Sequence, residues 1–293
     1  MRQLAQVFYI SATPAINRLI VVTRYILYLC SGACLQCGQP LQRAQVRQRD
    51  RIAALRGLWR ALCVLACVWR GAFTLWRHQG RWTNEQRAWA VQHWAQAMLR
   101  AMGVQCRVQG QAHDGPVMWV ANHIAWLDIL VLHSLGYARF VAKSEVHGWP
   151  LIGPMAAAAG TLFIERATRK DALRVVHQIA TAFEQGDRVA FFPEGTTSQG
   201  DTVLPFHANL LQAAVVTSTP VQPVLIRYFN AQGERATHVR YIDDDSLLAS
   251  VWRVLSAPQT QVQVRWALAQ QPQGRHRRIW REELRQTLLA LWQ

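Results

Sequence analysis

From residue 117 to residue 229 the chain alternates short apolar runs with longer segments of helical character. No other feature restricts the fold as much. The runs at 117–120, 139–142, 160–164, 189–192 and 221–229 read as strands, short, apolar and bounded by turn residues. Between them lie a helix opening at Ile129, a small-residue helix over 151–159, an amphipathic helix over 171–185 and a helix over 208–216. In the third of these Leu173, Val176, Ile179, Ala180 and Phe183 share one side, and Gly186 is the stop. This order predicts an α/β domain with a mixed, largely parallel sheet flanked by helices. The tail adds expected strands over 238–242 and 262–268 and a closing amphipathic helix over 278–292.

The most informative junction is the first one. The run ending at Val120 stops at the polar pair Asn122-His123, and Asp128 follows five residues after His123. Five residues along a regular helix the side chains point about 140° apart. His123 and Asp128 can meet only if the chain between them is not yet helical. His123 is therefore expected on the strand-to-helix turn, with Asp128 in the first helical turn, where the dipole favours a carboxylate. An imidazole held by a carboxylate is the arrangement of a general base. Taken alone, the pair fits equally a surface histidine beside a helix-capping aspartate.

Further motifs follow in order: Phe163-Ile164-Glu165-Arg166, Phe192-Pro193-Glu194-Gly195-Thr196-Thr197-Ser198 and Pro220-Val221-Gln222-Pro223-Val224. With Asn122-His123-x4-Asp128 they resemble the four motifs of the glycerolipid acyltransferases, the family containing 1-acylglycerol-3-phosphate acyltransferase. The resemblance covers residues 119–228. It implies transfer of a fatty acyl chain from acyl-CoA or acyl carrier protein to the hydroxyl of a lysolipid, with no cofactor beyond that co-substrate and no metal. His123 would be the base and Asp128 its orienting acid. Asn122, Lys143, Phe163, Arg166, Glu194, Gly195, Thr196, Thr197 and Pro223 would bind substrate. Arg166, Glu194 and Gly195 would grip the acceptor head group, and arginine is the natural bidentate partner of phosphate or carboxylate. One residue departs from the phosphate-acceptor pattern: Thr197 stands where many such enzymes carry arginine. Residues 140–150 and 160–166 are also similar to the branch that acylates lyso-ornithine lipid, so the implied acceptor is 1-acyl-sn-glycerol-3-phosphate or, alternatively, lyso-ornithine lipid. A nucleophilic serine hydrolase fits less well, since Thr196 occupies the first glycine position of a Gly-x-Ser-x-Gly elbow around Ser198.

Ahead of this domain the chain is apolar and basic. Residues 1–54 are expected to be an N-terminal extension and basic linker, with 39–51 as the linker proper. Residues 55–104 are expected to form a pair of membrane-docking helices, and 105–293 the α/β acyltransferase domain. The stretch 55–76 is rich in tryptophan and interrupted by Arg60 and Arg70. Such arginines can snorkel and tryptophans favour the interface, so a helix lying in one leaflet is preferred to a spanning one. A hydrophobic helix packed in a soluble core is the alternative. The net charge of +15, with Lys143 and Lys170 the only lysines, favours anionic partners. Anionic membrane lipid at the cytoplasmic face of the inner membrane is the expected one. No helix-turn-helix, zinc-finger or RNA-sheet signature supports nucleic acid. The spacing of Cys30, Cys34 and Cys37 lacks a second ligand pair for zinc, so unpaired cysteines are expected.

Overall fold

The computed structural model describes residues 38–78, 81–164, 169–242 and 244–293. The three clustered cysteines, Cys30, Cys34 and Cys37, and the two motif residues Glu165 and Arg166 lie outside the described residues.

Two helices lead: α1 (Gly38–His78) and α2 (Asn84–Met102). The stretch 39–51 is helical. Its Gln, Arg, Leu and Ala are good helix formers, and Pro40 falls in the first turn, where a missing N–H is harmless. Helix α2 opens on a capping box between Thr83 and Gln86 and ends at Gly103, whose φ of 74° suits glycine.

Helix α1 is apolar on both sides. Ala61, Val64, Cys67 and Val68 pack against the core. Leu58, Trp59, Leu62, Leu65, Trp69, Phe73 and Trp76 face outward, Trp69 with 75% of its surface exposed. Among the described residues this is the one helix long and apolar enough to cross a membrane, over Gln48–His78. Its inner face is fastened by polar contacts as well: Trp94 Nε1 donates to the Cys67 carbonyl at 3.1 Å.

After α2 come β1 (Val104–Gln109), β2 (Met118–Ala121), α3 (Leu127–Leu135), β3 (Arg139–Lys143), α4 (Ile152–Ala158), β4 (Leu162–Ile164), α5 (Arg169–Glu184) and β5 (Val189–Phe191). Then follow α6 (Leu211–Val216), β6 (Val221–Phe229), α7 (Leu247–Ser256), β7 (Thr260–Trp266) and α8 (Arg277–Trp292). The strands form one sheet in the order β1-β7-β6-β2-β5-β3-β4. Every neighbouring pair is parallel except β6 and β7. The mixed, largely parallel α/β sheet is the one the alternation implies.

Each face of the sheet is covered. On one side Met98, Leu99, Trp119, Val131, Leu132 and Tyr228 belong to a core built with α2, α3 and α7. On the other, Val120, Ile179, Phe183, Leu211, Trp280 and Leu284 belong to a core built with α5, α6 and α8. Successive β2 residues serve opposite cores, Trp119 and Ala121 one, Met118 and Val120 the other, as the pleat requires.

Two parts of the tail differ from expectation. Residues 238–242 alternate like a strand but do not join the sheet. A 3-10 turn, Thr237–Val239, begins this segment. It then crosses the loop after β2, where the Tyr241 amide donates to the Ile124 carbonyl at 3.3 Å. Helix α7 was not anticipated. Its C-terminal carbonyls are capped by α1: Arg60 donates to the carbonyls of Leu255, Ala257 and Pro258, and Arg56 to that of Ser256. Arg60 therefore turns inward instead of snorkelling, because unpaired carbonyls at a helix C-terminus attract a cation. Its guanidinium lies over Gly103, where a Cβ would stand 2.1 Å from it.

Candidate active site

The site is built where the parallel strands end. In such sheets the crevice beyond the carboxyl ends of the strands is where ligands bind. Strand β2 leaves the sheet at Asn122, whose side chain is fully buried and bridges to β6. Its amide nitrogen donates to the Ile226 carbonyl at 3.0 Å, and its oxygen accepts from the Ile226 amide at 2.8 Å. This staple fixes the direction in which the chain departs. It also corrects the expectation that Asn122 binds substrate, since both ends of its amide are engaged inside the sheet.

His123 follows, and Asp128 occupies the first turn of α3. Residues 124–126 precede the helix, and the two side chains meet: His123 Nδ1 lies 2.8 Å from Asp128 Oδ2. The same oxygen accepts from the amides of Ile124 at 2.6 Å and Ala125 at 2.9 Å. The other oxygen, Oδ1, accepts from the Tyr228 hydroxyl at 2.6 Å. Asp128 is fully buried, yet four donors converge on it. A carboxylate that only accepts requires a proton on His123 Nδ1, which leaves the Nε2 lone pair as the ring's basic site. The imidazole is held flat by Phe192, with ring centroids 3.9 Å apart and planes 7° from parallel. The His123 side chain keeps 18% of its surface exposed.

The loop after β5 supplies the other wall. Gly195 has a φ of 72°, and its amide donates to the Phe192 carbonyl at 3.2 Å, which closes a tight turn. The Ser198 amide donates to the His123 carbonyl at 2.8 Å, tying this loop to the first. Glu194 is 4% exposed, and neither carboxyl oxygen has a hydrogen-bond partner. Burial pushes its pKa up to about 8. The amides of Leu204 and His123 pull the other way without reaching hydrogen-bond geometry, the charge of Asp128 adds to the rise, and Arg285 opposes it. At neutral pH Glu194 is thus largely a neutral acid.

A family model described as Acyltransferase matches residues 103–227. The chain is 36% identical to the lyso-ornithine lipid O-acyltransferase of Pseudomonas aeruginosa over 58% of its own length and 66% of that protein. It is 34% identical to the 1-acyl-sn-glycerol-3-phosphate acyltransferase of Neisseria meningitidis, over 61% of its length and 71% of that protein. The chain belongs to the acyltransferase family. The matches span about two thirds of these relatives' own length. The crystal structure of the 1-acyl-sn-glycerophosphate acyltransferase of Thermotoga maritima superposes with a TM-score of 0.62 at 20% identity, over 83% of this chain and 95% of that one. That likeness establishes the shared fold.

Within this acyltransferase the remaining expected residues lie in different settings. Lys143 is exposed at the end of β3, in register with Ile164 at the end of β4, and Phe163 is half-buried beside the His147 ring. Thr196 is exposed, while the Thr197 hydroxyl donates to the Tyr241 carbonyl. Pro223 lies in the sheet itself, buried opposite Val120 with its carbonyl accepting from the Ala267 amide. Arg166 lies outside the described residues.

Three contributors escaped the sequence reading: the hydroxyl of Tyr228, the stacking face of Phe192, and the backbone of Tyr241. The only available signal was a tyrosine shortly after the aliphatic run Val224-Leu225-Ile226, since a buried phenol needs a partner.

Proposed function

We propose that this acyltransferase moves a fatty acyl chain from the thioester of acyl-CoA or acyl carrier protein to the hydroxyl of a lysolipid. The observation that carries the reading is the His123–Asp128 contact at the carboxyl end of β2. His123 Nε2 takes the proton of the acceptor hydroxyl as its oxygen attacks the thioester carbonyl. The tetrahedral oxyanion then collapses, the carbon–sulfur bond breaks, and the imidazolium returns the proton to the departing thiolate. No covalent enzyme intermediate and no cofactor are needed. General-base catalysis of this kind contributes roughly 10²–10⁴ in rate. Lys143 is assigned to the oxyanion or the head group. Arg166, Glu194, Gly195 and Thr196 are assigned to the head group.

The acceptor is 1-acyl-sn-glycerol-3-phosphate in the first reading. Thr197 favours the second, lyso-ornithine lipid, because its neutral hydroxyl stands where a phosphate-binding arginine would be expected and already has the Tyr241 carbonyl as partner. Purified protein offered both acceptors and both donors, with thiol release and lipid product measured together, distinguishes the readings. Activity with neither acceptor, or equal activity after His123→Ala, overturns the proposal.

The outward stripe of α1, together with the basic surface, is proposed to seat the protein on anionic lipid at the cytoplasmic face of the inner membrane. Flotation with vesicles containing acidic phospholipid is expected to fall when Trp59, Leu62 and Trp69 are replaced by serine. Unchanged flotation removes α1 as the attachment.

A further inference from the structure

Strand β6 grips the loop after β2 twice. The backbone of Ile226 holds Asn122, and two residues later Tyr228, on the same face of the strand, reaches Asp128. Tyr228 is 3% exposed, with its ring in the core that also contains Val131, Val262 and Trp266. The two oxygens of Asp128 are served unequally. Oδ2 has three donors, all from the loop that Asp128 itself closes. Oδ1 has a single donor, the Tyr228 hydroxyl, and that donor comes from another strand. Removing it leaves one oxygen of a fully buried carboxylate without a partner, a costly state in a low-dielectric interior.

We propose that Tyr228 is a positioning residue for acyl transfer: its hydroxyl fixes the plane of the Asp128 carboxylate and spreads its charge, which sets the orientation and basicity of His123. The proposal rests on the reading of His123 as the base. The carboxylate can rotate about its Cβ–Cγ bond if only one oxygen is held, and the imidazole hydrogen-bonded to that oxygen shifts with it. A hydrogen bond to a carboxylate also draws charge away from its partner on the other oxygen. Without the hydroxyl, Asp128 keeps more of its charge for the Nδ1–H contact and holds an imidazolium more strongly. Other ionisable groups face this unit. Glu194 couples electrostatically to Asp128 from the loop after β5, and the Cys106 thiol of β1, packed on the same core, couples to Tyr228. Neither forms a hydrogen bond to Asp128, so neither replaces the phenol.

The test is Tyr228→Phe, which keeps the ring and deletes one oxygen. The expected result is a fall in kcat of roughly tenfold or more with KM nearly unchanged, the pattern of a lost transition-state interaction. The acidic limb of the pH–rate profile should move up by about half a unit or more. A change of stability alone would lower the active fraction and leave the limb in place. Wild type grown on 3-fluorotyrosine, whose phenol is a stronger donor, should shift the limb the opposite way. That measurement stands even if Tyr228→Phe fails to fold. The low-field imidazole N–H resonance, absent in His123→Ala, reads the same coupling without turnover, and it should move in Tyr228→Phe. An unmoved limb and an unmoved resonance overturn the role of Tyr228. A wild type that transfers no acyl group overturns the functional reading instead, while the resonance still reports on the phenol.

Discussion

Two neighbouring carboxyl groups, beyond the ends of β2 and β5, are treated in opposite ways. Asp128 is buried with four hydrogen-bond donors, and Glu194 is buried with none. The first is served mostly by its own loop, because a short strand-to-helix turn leaves the amides of Ile124 and Ala125 free to point at the first helical turn. The second leaves a strand after Pro193, where the turn amide of Gly195 is already bonded to Phe192. Satisfaction fixes one group as a rigid acceptor. Burial without satisfaction leaves the other as a neutral acid that a polar ligand can engage.

The contrast is sharpest in Asp128→Asn. The substituted amide must present an NH2 group to donors on one side, and it can reverse the imidazole tautomer. A loss in kcat of about 10⁴ is expected, by analogy with the aspartate of a catalytic triad. Steady-state kinetics on protein shown by circular dichroism to be folded would check it, and a loss below tenfold would erase the distinction between the two carboxyls.

Glu194→Gln probes the other half. The folded-state pKa of about 8 lies above the ordinary carboxyl value, so the folded form binds the extra proton between those limits. Stability is then greatest below the ordinary value and declines as pH rises through about 8. The decline is on the order of a few kcal/mol. Glu194→Gln should flatten it, leaving the mutant more stable than wild type above pH 8 and equal to it near pH 4. Urea melts across that range measure the slope; parallel curves would mean that Glu194 finds a partner.

Smaller effects test how the loops are tied down. Arg60→Met keeps the stem but removes donors from the end of α7, and about 2 kcal/mol of stability should go with them. Thr197→Val removes one hydroxyl-to-carbonyl bond between the site and residue 241. A loss near 1 kcal/mol is expected, with a change in KM for the acceptor exceeding that for the acyl donor.

The sequence made the α/β alternation legible because each β2-to-β6 run is short, apolar and ended by turn residues. The His123–Asp128 meeting was legible for a different reason: a five-residue separation is meaningful only when the chain turns there. Partnerships across strands were not legible. Asn122 reads as a polar site residue until β6 lies alongside it, and nothing near Asp128 in sequence points to Tyr228, a hundred residues away. Residues 238–242 misled because a segment lying across two loops can show the same apolar alternation as a strand. Helix α7 is amphipathic but only ten residues long, and it lies between two stretches that read as strands.

Arg56 and Arg60 give the outer helix a mechanical meaning. They clamp α1 to the end of α7, and Trp94 fastens it again at Cys67. The inner side of the same helix packs on the core that also holds Ile124 and Ala125 of the loop after β2. Whatever surface the oily outer stripe rests on therefore sets the angle at which the His123 end of the sheet is presented to it, as a keel sets the attitude of a hull.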